Sequence, residues 1–357
     1  MNGETGQGRA GTHGDPAEPD AGSRPATLAD IARAAGVHTT TASRALRGSD
    51  GVGRRTAERI REVATGLGYL PHPAAASLRT GRSKLLGVVV PRLTDLVLAT
   101  IYEGIEHGSR DSGYQTVVAN SGDDRDTQRL RVETLLGARV DGLILGDARS
   151  DADLVRELRG RGTKVVLTSR RLPDVDVSSV TCDDPLGGRL AAEHLLALGH
   201  RRPAVIAGEP YASTGVERTA GFVGAFRSAG VEVPESRIVH SRFDVRGGRE
   251  AAEHLLAQSP RPTALFAVND FAAIGAMGAV RDAGLRVGDD VAIVGYNDVP
   301  LAAQLPVALT SVRSPMRRMG YEAARTLLRL IDGAPCSSQR LEPELQVRAS
   351  TLGSRPR

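Results

Sequence analysis

Between Thr27 and Leu70 the apolar residues recur at spacings of three and four and never alternate with period two, so the segment reads as short helices. In "TLADIARAAG", Leu28, Ile31, Ala32 and Ala35 share one face. Thr27 can cap that helix with its hydroxyl, Asp30 makes a capping-box-like start, and Gly36 permits a sharp turn. In "VHTTTASRALRG", Ala42, Ala45 and Leu46 form one face, while Thr40, Ser43, Arg44 and Arg47 form the other. A third stripe, Ile60, Val63, Ala64 and Leu67 in "GRRTAERIREVATGLGYL", stops at Gly66 and Gly68. Three such helices are expected to close a small core around Ile31, Leu46 and Ile60.

After Lys84 the texture changes. Short apolar runs bounded by Gly, Pro or polar residues ("KLLGVVVP", "YQTVVANS", "VDGLILG", "KVVLTS", "RPAVIAG", "TALFAVND", "VAIVGYND") predict buried parallel strands. Helical segments lie between them: 154–159, "LGGRLAAEHLLALG", "GFVGAFRSAG", "GGREAAEHLLAQ" and "FAAIGAMGAVRDAG". This alternation predicts an α/β fold of doubly wound parallel sheets, and its length suits two of them. The near-identity of "GGRLAAEHLLALG" and "GGREAAEHLLAQS" is ascribed to convergence of Ala- and Leu-rich helices and carries no functional conclusion.

Composition narrows the class. The chain has 357 residues, 40% apolar and 25% charged, which is ordinary for a soluble protein of more than one domain. No apolar run approaches the roughly 20 residues that span a membrane. The Gly-, Pro- and charge-rich residues 1–26 are expected to form a disordered tail without a signal-peptide core, which places the protein in the cytoplasm. Cys182 and Cys336 are too few and too far apart for a disulfide framework or a metal set, and no cofactor or metal is expected. The net charge is only +4, but Arg33 to Lys84 holds ten Arg and Lys against three Asp and Glu. Such a module suits a polyanion, although a solvated charged surface would look the same.

Two helices joined by a short Gly turn match a helix-turn-helix, whose second helix enters the DNA major groove. Thr, Ser and Arg supply the donors and acceptors such a helix needs. In open parallel sheets ligands bind beyond the carboxyl ends of strands, where this chain places Asp95, Asp183, Phe243, Asn269, Asp270, Asn297 and Asp298, with Arg218 near the start of a following helix. Carboxylates, amides, an Arg and an aromatic ring suit a polyhydroxylated ligand. The alternative for each Asp or Asn is a turn former or helix cap, and Asp270 and Asp183 are the most open to it.

The strings "TLADIARAAGVHTTTASRALRG" and "RIREVATGLGYLPHPAAASLRTGRSKLLGVVVP" resemble the LacI/GalR family of bacterial transcriptional regulators, and the resemblance runs from Thr27 to Leu352. It implies a disordered tail (1–26), a helix-turn-helix DNA-binding domain (27–71), a hinge helix and linker (72–83), an effector-binding and dimerisation core (84–352) resembling periplasmic binding proteins, and a tail (353–357). The core would form two subdomains, roughly 84–184 with 314–336 and 185–313 with 337–352. Thr39 and Thr40 match positions that read base edges. Arg44 matches the Arg of the "TVSR" pattern, Thr41 and Ser43 match phosphate-binding hydroxyls, and Thr27 and Arg47 complete the DNA-binding set. Ala75 would let paired hinge helices approach, and Leu78 would wedge into the minor groove. Arg218, Phe243, Asn269 and Asn297 match effector positions, with Thr214 and Asp183 the weaker matches.

Four departures stand out. His38 replaces the usual capping Ser and is expected either to meet phosphate or, preferably, to point to solvent. Gly53 replaces a capping Ser, and Asn297 stands where Asp is common. "TDLVLAT" replaces a segment that normally brings an aromatic to the pocket. The function implied is a repressor that binds a pseudo-palindromic operator as a homodimer, or as a tetramer, under control of a small effector, a carbohydrate with a purine as alternative. A periplasmic-type solute-binding protein is disfavoured by the helix-turn-helix. An enzyme ranks last, because no dinucleotide fingerprint, nucleophile elbow or Walker lysine is present.

Overall fold

The structure, a computed structural model, describes residues 26–48, 50–69 and 81–353. It divides into two compact units, 1–76 and 77–357. The smaller unit holds α1 (Leu28–Ala34), α2 (Thr39–Leu46) and α3 (Arg54–Gly66). Ile31 and Ile60 are fully buried at its centre among Ala32, Ala42, Ala45 and Ala64, with Leu46 partly buried beside them. Alanines at these contacts let three short helices pack closely although none could persist alone in water. Thr27 and Asp30 form a reciprocal capping box at the start of α1, and Gly53 caps α3 without a side-chain bond.

The larger unit runs β1 (Leu85–Val90), α4 (Leu96–Arg110), β2 (Gln115–Asn120), α5 (Arg125–Gly137), β3 (Gly142–Leu145), α6 (Asp153–Gly160), β4 (Val165–Thr168) and β5 (Ser179–Cys182). It then enters a second half: α7 (Asp184–Ala197), β6 (Pro203–Ala207), α8 (Ser213–Ser228), β7 (Ile238–His240), α9 (Val245–Leu256), β8 (Ala264–Ala267), α10 (Asp270–Asp282), β9 (Ala292–Asn297) and β10 (Thr310–Arg313). Helix α11 (Met316–Ile331) returns to pack on α4, and β11 (Gln339–Leu341), β12 (Glu344–Gln346) and α12 (Ala349–Leu352) complete the chain.

The strand orders are β11-β5-β4-β3-β1-β2 and β12-β10-β9-β8-β6-β7. The first sheet is parallel throughout, while the second has one antiparallel pair, β10 with β12. The two parallel-dominated sheets expected from the alternation are both present, with one antiparallel pair at the edge of the second. Strand β11 pairs with β5 in the first half, so the last crossing falls after Leu341, a few residues beyond the rough boundary at 336. Strands of three residues carry too little periodicity to be seen in a sequence. Helix α8 also begins at Ser213, well before the apolar stretch that marks it in the sequence, and this puts Arg218 inside the helix.

Helices cover both faces of each sheet, which is why the central strands are apolar on both sides. In the first sheet Val88, Ile144 and Val166 pack toward α4 and α11, while Leu143, Leu145 and Leu167 pack toward α5 and α6. In the second, Phe222 and Phe266 stack with centroids 4.7 Å apart. Three helix pairs touch backbone to backbone. A Cβ on Gly188 of α7 would collide with the Arg218 carbonyl oxygen of α8, one on Gly248 of α9 with that of Ala272 in α10, and one on Gly320 of α11 with that of Ile101 in α4. Among the described residues no helix is long and apolar enough to cross a membrane.

Candidate functional site

On the small unit, α2 buries Ala42 and Ala45 and exposes Thr39, Thr40, Arg44 and Arg47, while Thr41 and Ser43 are half-buried. Neither Arg44 nor Arg47 has an ion-pair partner among the described residues. His38 does not simply point to solvent. Its Nδ1 accepts from the Thr40 amide at 3.4 Å and lies 2.8 Å from the Thr40 hydroxyl, so it caps the helix. An imidazole nitrogen can fill that place because a cap needs only an acceptor in reach of a free first-turn N–H. The Thr27 hydroxyl is engaged with Asp30, donating to Oδ2 at 2.6 Å. Ala75 and Leu78 lie outside the described residues.

A cleft of about 310 Å³ opens between the two halves of the large unit at the carboxyl ends of the strands. Thr214, Arg218, Phe243, Asn269 and Asn297 line it, as does Asp95. Asp183 does not. It caps α7 by accepting from Leu186 N at 3.2 Å and faces a separate groove, while the inward carboxylate is its neighbour Asp184. Alternation of direction at a helix start, invisible in a string of two aspartates, decides between them. Asp270 and Asp298 are also structural. Asp270 accepts from Ser311 Oγ at 2.5 Å and Val299 N at 2.8 Å, and Asp298 pairs with Arg313 and Arg348 at 2.9 and 2.7 Å. Burial pushes the Asp270 carboxyl up to about 7.

Arg218 is buried, with Nε donating to Asp184 at 2.7 Å, Nη1 donating to the Val268 carbonyl at 2.7 Å, and its guanidinium carbon 3.7 Å from the Tyr296 ring centroid. Burial raises the pKa of Asp184, with Arg218 pulling it the other way. Asn269 caps α10 through Oδ1 and donates from Nδ2 to the Phe243 carbonyl at 3.0 Å, which holds the aromatic over Gly208, where a Cβ would meet the ring. Asn297 differs from the others. Its Oδ1 is buried with no hydrogen-bond partner among the described residues, and its backbone sits at φ 100°, a region L side chains rarely adopt. An acceptor left open in a cleft wall is a place for a ligand donor.

Several cleft residues are absent from the sequence-based set. Asp123, in the turn after β2, grips Arg170, after β4, through two bonds of 2.7 Å. Burial pushes the Asp123 carboxyl up, but Arg170 outweighs it and the group titrates below the usual range. Tyr211 meets this pair from the second half. The only sequence signal was position just past a strand, which many loop residues share. Thr94, Val97 and Leu98 form the wall where the aromatic segment is lacking. No group of three or more His, Cys, Asp or Glu among the described residues could hold a metal ion.

The profile described as "Bacterial regulatory proteins, lacI family" matches residues 27–72, and "Periplasmic binding protein-like domain" matches 192–351. The HTH-type transcriptional regulator CelR of Thermobifida fusca is 36% identical over 91% of this chain and 98% of its own length. A solved structure of the Lac repressor dimer bound to operator and the anti-inducer ONPF superposes with a TM-score of 0.85 at 28% identity, covering 92% of this chain and all of that one. A CelR–cellobiose complex superposes at 0.72 with 34% identity, over 92% of this chain and all of that one.

Proposed function

The chain belongs to the lacI family of bacterial regulatory proteins, and from that premise we propose that it is a dimeric repressor whose hold on a pseudo-palindromic operator is set by a carbohydrate in the cleft. The observation that carries the DNA-binding half is α2, whose buried Ala42 and Ala45 leave Thr39, Thr40, Arg44 and Arg47 outward on one small helix. In this reading Thr39 and Thr40 meet base edges, Arg44 and Arg47 meet base or phosphate, and Thr41 and Ser43 meet phosphate. Thr27 serves chiefly as the cap of α1.

The ligand half rests on the cleft. Phe243 offers a ring face, Asn297 an open acceptor, and Arg218 a guanidinium fixed by Asp184. CelR, a relative, is described with cellobiose, which supports a sugar over a purine. Effector binding would shift the pose of the two halves in proportion to its differential affinity for each pose. The first half can carry that shift to the linker, because Arg82 is bonded to Asp332 at 2.6 Å and Ser83 to Asp141 at 2.7 Å. The linker's Leu78 would then wedge at the operator centre.

The test is selection of bound duplexes by the purified full chain, followed by a thermal-shift panel of sugars and purines. A two-fold-symmetric consensus is expected, together with a sugar that raises the melting temperature and alters operator affinity. Enrichment of no duplex would overturn the regulator reading, and a response confined to purines would overturn the carbohydrate. Leu78→Ala should weaken operator binding while leaving the sugar response intact, and unchanged affinity in a gel-shift titration would remove Leu78 from the site.

A further inference from the structure

Tyr211 leaves the second half of the large unit and inserts into the first. Its ring centroid lies 3.8 Å from the Arg149 guanidinium carbon and 5.6 Å from that of Arg170. Its hydroxyl donates to Asp123 Oδ2 at 3.2 Å, and its carbonyl accepts from the Ser150 amide at 3.2 Å. Two residues on, Ser213 Oγ accepts from the Arg171 amide at 2.9 Å, and Glu217 pairs with Arg171 at 2.7 Å. All the first-half partners come from the loops after β2, β3 and β4, and Asp123 is itself fixed by both guanidinium bonds of Arg170.

We propose that Tyr211 is a latch: it closes the cleft by seating in the Asp123–Arg149–Arg170 cradle, and an effector acts by strengthening or displacing that seat. The ring gains from each guanidinium it meets. Arg170 is already paired with Asp123, and Arg149 donates to the Asp123 backbone carbonyl at 3.0 Å, so the ring covers a cation that has no carboxylate of its own among the described residues. Asp123, Arg170 and Tyr211 also line the cleft, so the latch stands in the wall that a ligand there would face. Its role in closure follows from geometry, whereas its control by an effector rests on the repressor reading above.

The amides of Ser150 and Arg171 report closure directly, because each bonds to an acceptor on the opposite half. Hydrogen exchange of the full chain without ligand should show both protected. Tyr211→Ala should accelerate them at least tenfold while β3 and β8 amides keep their rates. Tyr211→Phe, which keeps the ring and loses the bond to Asp123, should give a smaller acceleration of the same two amides. Unchanged rates at both amides in Tyr211→Ala, or faster exchange throughout β3 and β8, would overturn the latch. Operator affinity of the same variant, measured on the selected duplex, separates the two ideas. A change of fivefold or more supports coupling to DNA, and unaltered affinity beside accelerated exchange overturns the coupling. Absence of any selected duplex overturns the repressor reading while the exchange result still judges the latch.

Discussion

At Arg218 one side chain serves both the fold and the cleft. Its pairing with buried Asp184 means that Arg218→Ala would strand a carboxylate, at a cost of about 3–5 kcal/mol. Arg218→Met combined with Asp184→Leu should be markedly less harmful than Arg218→Ala alone in urea unfolding, and equal loss would mean that the pair is not coupled. Asp270 supplies a pH dependence. Its folded pKa is raised to about 7, so its contribution is complete below the ordinary carboxylate range and is lost as pH climbs through 7. Asn at this position keeps an acceptor for Val299 and turns its NH2 toward Ser311, whose hydroxyl changes from donor to acceptor. Asp270→Asn should therefore gain stability over the parent between pH 5 and pH 8, by order of a few kcal/mol. A gap that does not change with pH would dispose of this. His38→Ala should cost about 1 kcal/mol in cap energy. His38→Ser should restore it, as seen in melting of the small unit's helices.

Glycines set the spacing of the paired helices. The two echoed segments of the sequence, at Gly187 and Gly247, both place their second glycine against the backbone of the next helix, Gly188 on α8 and Gly248 on α10. The echo is therefore one packing solution used twice, more specific than a shared taste for Ala and Leu. Gly248→Ala should cost about 1–3 kcal/mol in denaturant unfolding through forced separation of α9 and α10. Helices with long apolar stripes were legible in advance, as were strands buried on both faces. The three-residue strands β11 and β12 were not, because pairing partners far away in sequence are what make them strands.

For the whole molecule, a basic small unit and a cleft-bearing large unit divide the work. If α2 and its surroundings bind phosphates, operator affinity must fall linearly in log salt, by about 0.9 per phosphate neutralised. Arg47→Ala should flatten that slope by about one unit, and a slope unchanged from the parent would take Arg47 off the backbone. The cleft lies between two sheets that the chain joins by three crossings, after Cys182, after Arg313 and after Leu341.

Periodicity and local chemistry in the sequence were enough to mark the three-helix unit, its outward Thr and Arg face, the α/β alternation and the strand ends that carry Phe243, Asn269 and Asn297, whereas Thr214 entered only through the family resemblance. The marked features depend on neighbours a few residues away, and helical or strand spacing reports them. Tertiary structure alone decided that Asp184 and not Asp183 faces Arg218, that Asp270 and Asp298 are structural, and that Tyr211 spans the cleft to Asp123. Each of those outcomes hangs on a contact between segments tens of residues apart, where burial and partner geometry, unrecorded in any local pattern, choose among chemically similar side chains.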